Sequence, residues 1–136
     1  MKKATKTSPS FVPDGWPRVV PRILAHNPQP LVAFIKRVFR ATGRYRDAAP
    51  TELRIGDSVI LVSDAAARRP MTACLYVYVE DADSVFRRAV RAGARAIEEP
   101  ALMPYGDRRG MIEDAWGNTW QIATRVRVAT GVVRDR

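Results

Sequence analysis

Residues Met103 to Thr124 read MPYGDRRGMIEDAWGNTWQIAT, and their pattern is strand, turn, strand. Arg109 to Asp114 forms a short strand pattern, and Ala115-Trp116-Gly117-Asn118 has turn composition. Thr119 to Thr124 is a second strand rich in aromatic and β-branched residues. The pair is therefore a hairpin, with an aspartate at the end of its first arm and Gly-Asn leading into the second.

The segment before this hairpin supplies the rest of a unit. Ala73 to Val79 alternates in residue type as a strand does, and Glu80-Asp81-Ala82-Asp83 leads into a helix over Ser84 to Ala92. Val85, Phe86, Ala89 and Val90 share one face of that helix, which Gly93 stops. Arg95 to Ile97 is a short strand candidate. The same order occurs earlier in the chain. Arg18 to Ala25 is strand-like, with Pro21 arguing for an edge or a bulge, and His26-Asn27-Pro28 breaks it. Leu31 to Thr42 carries Leu31, Phe34, Ile35, Val38 and Phe39 at helical spacing before Gly43. A short strand around Arg44 to Arg46 is expected next. Glu52 to Ile55 and Ser58 to Ser63 then flank Gly56-Asp57 as a hairpin.

Phe34 and Phe86 occupy corresponding places in the two halves, as do Val38 and Val90. Val59-Ile60-Leu61-Val62 corresponds to Thr119-Trp120-Gln121-Ile122. The repeated β-α-β-β-β order indicates duplication. Neither half could bury a large core alone. The expected fold class is α+β: two βαβββ modules forming a curved mixed sheet around a cavity, with the helices on the convex side. Residues 1–16 read as a flexible segment, 17–125 as a single domain with modules at about 17–64 and 73–125, and 126–136 as a basic tail.

The chain has 136 residues and a formal charge of +9. Of that charge, +2 lies in residues 1–16, +3 in residues 125–136 and +4 in the body between them. The clusters Lys36/Arg37/Arg40 and Arg87/Arg88/Arg91 interrupt apolar helix positions, as solvated faces do. Nucleic acid is therefore not expected as a partner. No run is long enough to span a membrane, and no apolar segment follows the N-terminal lysines. Cys74 is the single cysteine, so no internal disulfide forms. These features point to the cytoplasm.

LRIGDSVILVSD (Leu53–Asp64), LYVYVEDADSVFRRAVRAGA (Leu75–Ala94) and YGDRRGMIEDAWGNTWQIAT (Tyr105–Thr124) resemble the vicinal oxygen chelate superfamily. This is the glyoxalase/bleomycin resistance protein/dioxygenase family, and the resemblance is to its PhnB-like branch over roughly residues 18–125. FIKRVF (Phe34–Phe39) resembles the family's first helix, with Ile35 where tyrosine is usual, and the connection from Gly43 to Glu52 is shorter than in relatives. The resemblance implies four strand positions that hold a divalent metal in metal-using members. By motif they fall near Val20, Leu61, Cys74 and Gln121. Val and Leu cannot ligate, and one Cys with one Gln makes a poor site. His26, the only histidine, sits in a strand-to-helix turn. No metal ligands and no cofactor are therefore expected. The resemblance also implies a homodimer.

Strand alternation then gives the cavity wall. Cys74 brings Tyr76 and Tyr78, Gln121 brings Thr119 and Ala123, and Leu61 brings Val59 and Ser63. Trp120 alternates into the core. The candidate ligand-binding residues are Arg22, Glu52, Leu61, Cys74, Tyr76, Tyr78, Tyr105, Trp116 and Gln121, with no catalytic residue assigned. Arg22 could pair with Glu52 or meet a ligand. Asp107, Arg108 and Arg109 read as turn and salt-bridge residues. Phosphate-loop, dinucleotide-binding and Cys-x-x-Cys patterns are absent from the sequence.

Two functions follow as expectations. One is a metal-independent protein that binds a small aromatic or polyfunctional molecule; the basic balance argues against a cationic one. The other is a divalent-metal-dependent lyase, isomerase or dioxygenase of the same superfamily. A third possibility is an interaction module whose basic tails contact an acidic partner.

Overall fold

The structure is a computed structural model that describes residues 11–66 and 68–126. Along the chain run β1 (Arg22–Ala25), α1 (Pro28–Phe39), β2 (Thr51–Ile55), β3 (Ser58–Asp64), β4 (Cys74–Tyr78), α2 (Ala82–Arg91), β5 (Arg95–Leu102), β6 (Asp107–Glu113) and β7 (Thr119–Arg125). One sheet has the order β1-β3-β2 and the other β4-β7-β6-β5. In each, the last strand of the module is central. It pairs in parallel with the first strand and antiparallel with the strand before it. β3 and β7 are thus equivalent, as their sequences suggest, and the fold is the expected α+β duplication.

The first module is one strand short. No strand forms at Arg44–Arg46. A single antiparallel bridge between Thr42 and Arg54 stands in its place, with Thr42 N–H to Arg54 O at 3.0 Å and Arg54 N–H to Thr42 O at 2.9 Å. The short connection to Thr51 leaves too few residues for a strand and its two turns. β1 begins only at Arg22, because Pro21 has no N–H to donate to a ladder. β5 is longer than the sequence suggests and carries register shifts between Ala96 and Ala101, which its proline at 100 accompanies.

The helices bury one stripe each. α1 starts at Pro28, whose fixed φ suits the first turn, and inserts Leu31, Phe34, Ile35, Val38 and Phe39. It stops at Phe39, not at Gly43, because Arg40 takes a left-handed backbone (φ 57°). α2 is capped by Asp81, whose carboxylate accepts the Ser84 N–H at 3.3 Å. Its Val85, Phe86 and Ala89 face the core, whereas Val90 is 40% exposed and so departs from the repeat with Val38. α2 lies close on β6: a Cβ at Gly110 would come within 2.8 Å of the Phe86 ring. Arg88 leaves the solvated face assigned to it. Its Nε and Nη2 donate to Val38 O at 3.0 and 2.7 Å, which joins the two helices.

The decisive hairpin is organised by Asp114, which is 5% exposed. Its Oδ1 accepts the backbone N–H of Trp116 and of Asn118, both at 2.9 Å. Its Oδ2 accepts Trp120 Nε1 at 2.9 Å and Asn118 Nδ2 at 3.0 Å. Asn118 Oδ1 in turn accepts Ala73 N–H at 2.9 Å, just before β4. Trp120 is fully buried, with its ring 4.7 Å from that of Phe39 in the other module. One apolar cluster spans both sheets and both helices.

Of the tail readings, residues 1–10 and 127–136 lie outside the described residues. Residues 15 and 16 touch the first sheet: Arg54 donates to Gly15 O at 3.3 Å and sits 6.0 Å from the Trp16 ring. No described helix is long and apolar enough to cross a membrane.

Asp114→Ala leaves the Trp120 and Asn118 donors buried without an acceptor. The expected loss is roughly 3 kcal/mol or more of unfolding free energy, with a denaturant slope unchanged from wild type, read by urea titration.

Candidate functional site

The two sheets each turn one face to the helices and leave the other free of them. On β4, Cys74, Tyr76 and Tyr78 are exposed, while Leu75 and Val77 pack against the core. On β7, Trp120 and Ile122 go inward and Gln121 outward. Across the second sheet, Tyr76 lies beside Gln121 and Gln121 beside Met111. Tyr78 lies beside Ala123 and Ala123 beside Arg109. Asp107 lies beside Arg125. In the first sheet, Leu61 lies between Arg22 and Glu52.

The helix-free face of the second sheet holds a polar network. Asp107 is fully buried. Its Oδ2 accepts the hydroxyls of Tyr76 and Tyr78, both at 2.7 Å, and its Oδ1 accepts Arg125 Nε at 2.8 Å. Tyr105 OH is 3.3 Å from Tyr76 OH. The Tyr76 and Tyr78 rings are tilted against each other with centroids 5.4 Å apart. The three tyrosines remain 37%, 52% and 38% exposed, so their rings offer aromatic surface while their hydroxyls are fixed from beneath. Arg109 is mostly covered on the same face. It meets Glu98 at 2.5 Å, and its Nε is buried with no hydrogen-bond partner among the described residues.

Beside this face, a cavity of about 640 Å³ opens between the edge of β4 and the β2–β3 hairpin. Pro17, Val19 and Pro21 wall one side, Ile55, Leu75 and Val77 contribute apolar surface, and Tyr76 and Tyr78 border it. The cavity therefore meets the tyrosine cluster but does not extend along the whole helix-free face.

The residues singled out from the sequence fall into three places. Tyr76, Tyr78 and Tyr105 come together. Gln121 lies next to Tyr76, and Cys74 lies on the same strand, exposed and beside Thr119. Arg22, Glu52 and Leu61 share the helix-free face of the first sheet. There Arg22 Nε donates to Ser63 Oγ at 3.0 Å and Glu52 meets Arg46 at 3.9 Å, so the possible Arg22–Glu52 pair does not form. Trp116 packs toward the helices, with its ring 6.5 Å from that of Phe34. Asp107, Arg109 and Arg125 were not among the candidates. Asp107 lies ahead of the strand that the sequence pattern delimits, so its alternation with Arg109 was not visible. Arg108 does play the salt-bridge role read for it, holding Asp83 on α2 at 2.7 and 3.0 Å.

The donor set does not fit a divalent cation. Leu61 has no donor atom, and its strand neighbour Arg22 is a cation. Asp107 has both oxygens committed to tyrosine and arginine donors. Among the described residues, no three His, Cys, Asp or Glu side chains gather as a metal site would need.

With this geometry in view, the chain can be placed among known proteins. The family model for the glyoxalase/bleomycin resistance protein/dioxygenase superfamily matches residues 7–122, and the chain belongs to that superfamily. Uncharacterized proteins of Mycobacterium bovis and Mycobacterium tuberculosis are 24% identical to it over 129 residues. That match covers 82% of this chain, 85% of the first protein and 76% of the second. Its fold is similar to that of TioX from Micromonospora sp. ML1, with a TM-score of 0.68 and 23% identity over 79% of this chain and 97% of that one. It is also similar to a glyoxalase/bleomycin resistance protein/dioxygenase family enzyme from Burkholderia phytofirmans, with a TM-score of 0.69 and 20% identity over the same shares.

Burial, then the hydrogen bonds with Tyr105 and Asp107, push the Tyr76 phenol well above the ordinary tyrosine range. A folded-state value raised above the unfolded one gives stability that is intact below about pH 10 and lost as the pH rises toward the folded value. In a phenolate absorbance titration, Tyr76 should ionise in a late step and be still protonated near pH 11. In Tyr76→Phe that late step should vanish, and the loss of stability above about pH 10 should become shallower.

Proposed function

We propose that this protein binds a small aromatic or polyfunctional, non-cationic molecule at the tyrosine-bearing face and its adjoining cavity, without a metal ion. The observation that carries the reading is the cluster of Tyr76, Tyr78 and Tyr105. Three half-exposed rings are immobilised through Asp107 beside an apolar cavity of about 640 Å³. Fixed aromatic rings lose little entropy when a planar molecule stacks on them, and a cavity of this size suits a ligand of drug-like dimensions. The family fold supplies the frame. The chemistry of the donors on the helix-free face argues against the metal-dependent lyase, isomerase or dioxygenase reading. The net charge of +9 supports a neutral or anionic ligand over a cationic one. We further infer a cytoplasmic homodimer within the PhnB-like branch, from the resemblance of the sequence motifs and the single cysteine.

Binding and metal content can be measured on the same preparation. Titration with a panel of naphthalene and indole derivatives should give saturable calorimetric or fluorescence signals that chelator treatment leaves unchanged. Tyr78→Ala should weaken them by about 10-fold or more, as loss of an aromatic contact does. A stoichiometric divalent metal that survives dialysis, with binding lost on its removal, would overturn the metal-free reading. No saturable signal across the panel would overturn the binding reading.

A further inference from the structure

The cavity lies on a seam between the two sheets, and strand pairing closes one end of that seam. There Leu24 N–H donates to Met71 O at 3.1 Å and Met71 N–H to Leu24 O at 2.9 Å, in antiparallel sense. Further along, the pairing stops. Pro17 and Pro21 have no N–H to give, and residues 17–20 make no backbone hydrogen bond among the described residues. On the other side of the gap, β4 is the end strand of its sheet, with β7 as its one neighbour. Thr119 N–H donates to Ala73 O at 2.9 Å and Val79 N–H to Ala123 O at 2.8 Å. Backbone groups along a strand point alternately to its two sides, so residues 73, 75, 77 and 79 bond β7. The N–H and C=O of Tyr76 therefore point to the open edge, and neither has a backbone partner among the described residues. Leu75, Tyr76 and Val77 line the cavity at that edge.

We propose that the cavity takes a short extended peptide, held as an added strand on the open edge of β4. The peptide runs antiparallel to β4, the sense of the pairing at the closed end of the seam, and its central residue exchanges two backbone hydrogen bonds with Tyr76. Directly paired residues share a face of the sheet. The central side chain thus lies beside the Tyr76 ring, where an aromatic one makes the best contact. Its two neighbours point to the side of Leu75 and Val77, which calls for apolar residues. The net charge of +9 selects neutral or acidic peptides over basic ones. This inference rests on the binding function proposed above and names the class of molecule bound.

Three probes test this on the full chain: acetyl-Val-Phe-Val-amide, the same peptide methylated on the phenylalanine nitrogen, and the same peptide with alanine at the centre. By calorimetry the first should bind about 10-fold more tightly than its N-methyl form, which loses one backbone donor. It should also bind about 10-fold more tightly than the alanine form, which loses the aromatic contact. Amide hydrogen exchange followed by NMR reads the edge itself. Saturating peptide should slow exchange at Tyr76 N–H by about 10-fold or more and leave Leu75 and Val77, already bonded to β7, unchanged. Equal affinity for the parent and N-methyl peptides, or unchanged exchange at Tyr76 with the parent peptide bound, would overturn the added strand. Failure of all three peptides to bind while naphthalene and indole derivatives still do would also overturn it and leave small-molecule binding standing. Failure of the peptides and the aromatic panel together would remove both readings.

Discussion

Asp114 is the constraint on which the rest of the chain depends. A buried carboxylate is tolerated only when its lone pairs are answered. Here the hairpin answers them with the backbone of Trp116 and Asn118, the Asn118 amide and the Trp120 indole. That satisfaction sets the hairpin turn and points Trp120 inward, and Asn118 then reaches the residue before β4. Because Trp120 stacks on Phe39 of the other module, a turn in the second half also fixes how the two halves share a core. Arg88 repeats the idea on the helix side, where it closes an open carbonyl at the end of α1 from α2.

A second buried carboxylate, Asp107, organises the opposite face of the same sheet. Asp114 orders a turn, whereas Asp107 orders side chains that solvent can still reach. The contrast bears on function. Tying the hydroxyls of Tyr76 and Tyr78 to a buried carboxylate while leaving their rings partly exposed makes a positioned aromatic surface. A ligand meeting such a surface does not have to order it first. The superfamily frame is compatible with metal chemistry in other members. In this chain leucine, arginine and tyrosine occupy the helix-free face, and the donor set there does not fit a divalent cation.

The parts of the site that were legible in the sequence were the local ones. Alternation along a strand is set by the backbone, so Tyr76 and Tyr78 could be assigned to one face and Trp120 and Ile122 to the other. Helix stripes were equally clear for Leu31, Phe34, Ile35 and Val38. Positions where a residue must choose between two nonlocal partners were not legible. Arg22 takes Ser63 in place of Glu52, and Trp116 turns to Phe34 and away from the tyrosines. Val90 follows the repeat in sequence but not in burial: Ala89 takes the buried place in the last turn of α2 and Val90 is left 40% exposed. The missing strand of the first module was visible only as a shortened connection. That Thr42 would keep one bridge to Arg54 needed the fold.

The sequence by itself determined the duplication, the two helices, the two hairpins and the face each strand residue occupies. These follow from backbone geometry and the period of apolar side chains, which operate over a few residues. The tertiary structure decided that Asp107, at the start of β6, would sit under two tyrosines of β4. One strand, β7, lies between the aspartate and the tyrosines, and only the packed sheet brings the carboxylate and the hydroxyls to 2.7 Å. It also decided that the hydroxyl protons point inward. Arg125 holds the other carboxylate oxygen at 2.8 Å, a contact with no signature in residue spacing.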